Sequence, residues 1–104
     1  MDASHEDELA RLRRGIGALD ADLIRVLANR FALVDRLAEI KREQGIPIED
    51  AARERTLCRL YESICAREGF DPESAKRIFH AIFAESKERQ RAARRASGQE
   101  KEGR

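Results

Sequence analysis

Tryptophan is absent from this 104-residue chain, which holds a single tyrosine, four phenylalanines, two prolines and two cysteines. With few aromatics, 41% hydrophobic and 39% charged residues, only a modest core is possible, and long faces must stay wet or meet a partner. An excess of one charge is missing too. Lys and Arg number 21 against 20 Asp and Glu, a net charge of +1, so no global basic field argues for nucleic acid and any anion binding must be local. There is no long apolar run. The amino-terminal MDASHEDELA is acidic, so neither a secretory signal nor a membrane span is expected and a cytoplasmic location is the default.

Other absences narrow the chemistry. Cys58 and Cys65 fall on one expected helix about 10 Å apart, too far for a bridge within the chain. They read as two small apolar side chains and fit no metal spacing. His5 and His80 stand apart from other ligand-type residues, so no metal is expected. No glycine-rich loop precedes a helix, and no Ser-His or Cys-His arrangement suggests itself. An enzyme built on this chain would need no cofactor and would work by positioning and electrostatics.

What is present is helical periodicity. Leu12, Ile16, Leu19, Leu23, Leu27, Val34 and Leu37 recur at three- and four-residue steps, the period of an amphipathic helix. Arg30 and Lys41 fall inside that stripe. At about 100° per residue from Ile16 they come out near 320° and 340°, beside Val34 near 0°, and they stand roughly 16 Å apart along the axis. Burying unpaired charge is costly, so something anionic should meet these two cations.

Ser4 and Asp7, with Glu6 and Glu8, mark a helix start, and Gly45-Ile46-Pro47 marks its end. Roughly 40 helical residues span about 60 Å, more than a compact domain of this size can cover, so the stripe needs another chain. Gly15 and Gly17 each cost about 1 kcal/mol in a helix interior. A second helix is expected over 51–68, capped by Asp50, with Leu57, Leu60, Tyr61 and Ile64 inward, and Gly69 ends it. Asp71-Pro72-Glu73 opens a third, which carries Ala75, Ile78, Phe79, Ile82 and Phe83 before its inward positions turn polar at Ser86 and Gln90. No strand pattern or internal repeat competes. The expectation is an all-α fold: one very long helix and two shorter ones, forming an intertwined helical homodimer. Residues 1–7 read as a short lead, 8–92 as the helical domain, and 93–104 as a charged, disordered tail.

Arg30, Lys41, Glu54, Ser86 and Gln90 are out of place for packing alone. Each has a bland reading: Arg30 snorkelling from a seam edge, Lys41 favouring a helix C-terminus, Glu54 suiting a first turn. Together they describe a pocket inside a bundle that holds a small polyanion bearing hydroxyl groups. Arg13 lies about 25 Å from Arg30 along the helix, so it reaches the same ligand only from an antiparallel partner chain.

Leu12-Arg13, Ile16, Leu19-Asp20, Leu23, Leu27, Arg30, Lys41, Ile46-Pro47, Asp50, Arg53-Glu54, Ser86 and Gln90 together resemble the all-helical class of chorismate mutases, over residues 8 to 92. The resemblance implies a dimer with two active sites that converts chorismate to prephenate by a one-step [3,3] rearrangement on the route to Phe and Tyr. It also implies roles. Arg30 and the partner's Arg13 bind the carboxylates, Lys41 and Gln90 donate to the ether oxygen, Glu54 accepts from the ring hydroxyl, and Asp50, Arg53 and Ser86 complete the pocket. Similar proteins of this fold act on isochorismate as pyruvate lyases or on amino-deoxychorismate as mutases; the full residue set favours chorismate. Outside enzymes, the alternative is a helical dimerisation module in which Arg30 and Lys41 pair with acids across the bundle.

Overall fold

A computed structural model describes residues 3–98 of the chain. They form three helices, α1 (Ala3–Gln44), α2 (Ala51–Glu68) and α3 (Pro72–Ser97), with no strand among the described residues. Contacts divide the chain into two compact units, Met1–Leu33 and Val34–Arg104.

The first unit is helix throughout its described length. α1 begins at Ala3, so most of the expected 1–7 lead is already helical. The reason is electrostatic: Glu6 and its acidic neighbours lie at the positive end of the helix dipole. Every side chain from Ser4 to Val26 is exposed, including Leu12, Ile16, Leu19 and Leu23, the last 56% exposed. A row of leucines left in water along one helix face has no stabilising contact within its own unit. Nothing lies within 4 Å of where a Cβ would sit on Gly15 or Gly17, so the fold of this chain does not demand either glycine.

The second unit holds what core there is. α1 stops because Gly45 takes φ +67°, a left-handed conformation that a Cβ would strain, and the Ile46 N–H then closes back on the Lys41 carbonyl at 2.9 Å. Asp50 caps α2 by accepting from the Arg53 N–H at 2.9 Å. Gly69, at φ +69°, ends α2 in the same left-handed manner. Asp71 caps α3 through the Glu73 and Ser74 N–H groups, and Pro72 occupies its first turn. The Ser74 hydroxyl, followed by the Glu73 N–H, holds the Asp71 carboxyl below its usual 3.8.

α2 and α3 pack on each other through a short aromatic ladder. The Tyr61 ring lies 4.5 Å from Phe79, and Phe79 lies 5.9 Å from Phe83, separations at which tilted rings attract. Val34, Ala38, Cys65 and Ala75 are the buried apolar residues, all small or medium, as the shortage of aromatics requires. Leu60 and Ile78, expected inward, remain half-exposed at 53% and 52%. Cys58 is half-buried, and neither cysteine is bridged.

α3 also clamps the end of α1. The Arg89 guanidinium forks onto Asp35, with Nε 2.9 Å from Oδ1 and Nη2 3.1 Å from Oδ2, a bidentate geometry that fixes register between the elements. Arg94 donates to the Ile46 carbonyl, and Arg95 reaches Glu88 at 2.6 Å. These contacts carry α3 to Ser97, past Ala93 where the charged tail was expected to begin. The Gly98 N–H caps the Arg94 and Arg95 carbonyls, and the two arginines suit the negative end of the dipole. Residues 99–104 of the expected tail lie outside the described residues.

Candidate active site

Six of the eight sequence-predicted site residues belong to the second unit. Lys41 sits in the last turn of α1, where the chain's turn at Gly45 brings the following loop back toward it. Its ammonium donates to the Ile48 carbonyl at 3.3 Å and makes no ion pair with an acid among the described residues. An ammonium has three protons, so this contact leaves Lys41 able to donate again.

Asp50 and Arg53 are joined by the cap of α2. Because Asp50 spends a carboxylate oxygen on the helix terminus, its first function is to fix where α2 starts, and hence where Glu54, one turn in, stands. Glu54 is half-buried, and its Oε1 lies 2.9 Å from Lys87 Nζ.

Ser86 and Gln90 are the buried polar residues of the described chain, at 8% and 6% exposure. They stand one turn apart on α3 and are linked: Ser86 Oγ donates to the Ile82 carbonyl at 3.0 Å, and Gln90 Nε2 donates to the Ser86 carbonyl at 3.3 Å. Gln90 Oε1 is buried with no hydrogen-bond partner. Exchanging the amide's oxygen and nitrogen would set two acceptors face to face, so the contact with Ser86 fixes the amide's orientation. One Nε2 proton then remains for another acceptor.

Arg13 and Arg30 belong to the first unit, on α1. Arg13 is exposed. Arg30 is half-buried, with its guanidinium carbon 5.4 Å from the centre of the Phe31 ring, a distance at which the ring face attracts a cation.

Lys87, Glu49 and Arg91 escaped the sequence reading. Lys87 Nζ also lies 3.1 Å from Glu49 Oε2, and Arg91 Nη2 lies 3.5 Å from Glu49 Oε1. Glu54, then Glu49, raise the Lys87 ammonium above its usual 10.5. With His80, Phe83 and Glu54 these side chains line a cleft of about 340 Å³ between α2 and α3. The signal was available: Phe83, Lys87, Arg91 and Arg94 recur at four, four and three residues, so one α3 face runs from apolar to basic. No group of three or more His, Cys, Asp or Glu side chains among the described residues is arranged to hold a metal. No described helix is long and apolar enough to cross a membrane.

This arrangement offers fixed cations, an amide donor and a held carboxylate, a set suited to binding and stabilising charge on a small anion. It matches what the sequence comparisons return. Residues 12–91 match the chorismate mutase type II family. The chain belongs to that family. It is 30% identical over 81 residues to a chorismate mutase of Methanocaldococcus jannaschii, covering 78% of this chain and 82% of that protein. All eight predicted site residues lie inside the matched span. This type II chorismate mutase is therefore an isomerase.

Proposed function

We propose that the enzyme converts chorismate to prephenate as an intertwined homodimer, in the cytoplasm and without a cofactor, at two sites each built from both chains. The observation that carries this reading is the buried Gln90 amide on α3, which the Ser86 carbonyl orients so that one Nε2 proton is left to donate. The exposed stripe of α1 supports the dimer. Leu12, Ile16, Leu19 and Leu23 are apolar at helical spacing, and a second copy covers them and brings its own Arg13 with them.

The rearrangement breaks the ether C–O bond and forms a C–C bond in one step, with no group transferred to the protein. Arg30 and the partner's Arg13 pair with the two carboxylates and hold the chair-like geometry in which the bonding carbons meet, so the entropy of reaching it is spent on binding. As the ether bond stretches, negative charge gathers on its oxygen. The Lys41 ammonium and the remaining Gln90 N–H donate there, stabilising the transition state more than the substrate. Glu54 accepts from the ring hydroxyl, and Asp50, Arg53 and Ser86 frame the pocket.

Substrate choice is tested by comparing kcat/KM of the purified protein for chorismate, isochorismate and amino-deoxychorismate. The highest value is expected for chorismate, with prephenate as product. A higher value for pyruvate release from isochorismate, or for the amino substrate, overturns the assignment.

A further inference from the structure

We propose that Lys87 is a positioning residue of the active site, one that ties Glu54 to α3 so that one carboxylate oxygen is held and the other is presented to the substrate's ring hydroxyl. The inference rests on the reading of Glu54 as the hydroxyl acceptor. Nothing in the resemblance gives position 87 a role; the geometry does.

Glu54 stands in the first turn of α2 on a side chain with three rotatable bonds. Left alone in a half-wet cleft, such a carboxylate samples several rotamers and holds its oxygens in no one direction. Lys87 approaches from α3 and contacts a single oxygen, Oε1, at 2.9 Å. A carboxylate accepts at both oxygens, so this contact orients Oε2 without consuming it. The lysine is itself fixed. Its second acceptor, Glu49 Oε2 at 3.1 Å, belongs to the loop between α1 and α2, and Arg91, one turn further along α3, holds the other oxygen of Glu49. The Lys87 side chain is 24% exposed and that of Glu54 32%, so the pair is partly withdrawn from water and worth more than a fully solvated one. The ladder thus joins three segments at the mouth of the cleft and delivers one oriented acceptor.

Hydroxyl recognition is the readout that separates positioning from a general contribution to folding. The ratio of kcat/KM for chorismate to kcat/KM for an analogue with hydrogen in place of the ring hydroxyl is measured for the wild type, Lys87→Met, Lys87→Arg and Glu54→Gln. Lys87→Met is expected to lower that ratio about tenfold, because a site that loses an oriented polar contact loses its preference for the substrate that uses it. Lys87→Arg, which keeps the cation, restores most of it. Equal losses on both substrates in Lys87→Met, or no recovery in Lys87→Arg, overturn the inference. If Glu54→Gln leaves the ratio unchanged, the hydroxyl-acceptor reading fails and the role of Lys87 falls with it. If Glu54→Gln lowers the ratio and Lys87→Met does not, only the role of Lys87 falls.

Discussion

Replacing Lys41 by methionine is expected to lower kcat by a factor of about 10²–10³, the cost of removing one donor from a developing oxyanion. Methionine keeps the length and apolar stem of the side chain and deletes only the charge and its protons. Lys41 has a second employment, the bond to the Ile48 carbonyl at 3.3 Å. Losing that contact costs about 0.5–1.5 kcal/mol of stability, so thermal unfolding read beside the kinetics keeps the two effects apart. On the proposed role, in which Lys41 acts on charge that appears only as the ether bond breaks, kcat and kcat/KM fall together. A raised KM with kcat intact would instead assign Lys41 to ground-state binding.

Gln90→Glu is expected to convert a rate that persists from about pH 7 to 8 into one that falls about tenfold per pH unit. The wild-type amide donates at any ordinary pH, whereas a carboxyl donates only when protonated. Taking an ordinary glutamate value near 4.3, the variant retains roughly a thousandth of its protonated-form activity at pH 7.5, and more if burial raises the carboxyl. Burial at position 90 is nearly complete, and the Ser86 carbonyl facing the side chain repels a carboxylate, so an upward shift is expected in the variant. Acidification restores only part of the rate. The amide has two N–H protons, one held by the Ser86 carbonyl and one that the proposed mechanism gives to the substrate, whereas the acid has a single proton for both. Parallel pH profiles for wild type and variant would remove Gln90 from the chemistry.

The helix boundaries were legible because they rest on local backbone chemistry. Gly45-Ile46-Pro47, Gly69 and Asp71-Pro72 act within a few residues of themselves, and each does in the structure what its conformational limits require. Ser86 and Gln90 were legible for a related reason: they interrupt an apolar stripe on α3, and both are buried. Long-range partners were not. Lys87 looks like any solvated cation on its own helix, and only its approach to Glu54 and Glu49 gives it meaning. The same holds for Arg94, whose contact with Ile46 extends α3 where residue pattern alone suggested fraying. Leu60 and Ile78 were expected inward and stay exposed, because amphipathic spacing defines a face and not what covers it. The glycines at 15 and 17 meet nothing in their own unit, and no physical reason for them is found in this chain.

The central claim is that each active site draws on two chains, and subunit mixing tests it most directly. Arg13→Ala and Arg30→Ala, purified separately, are each expected to lose nearly all prephenate formation, since each leaves both sites of its dimer one guanidinium short. After subunit exchange, a heterodimer collects both defects in one site and leaves the other whole. An equal mixture holds about half its dimers as heterodimers, so it should recover roughly a quarter of the wild-type sites. Activity that rises to about that level as exchange proceeds is the predicted result. A fully exchanged mixture as inactive as either parent would contradict a site shared between chains.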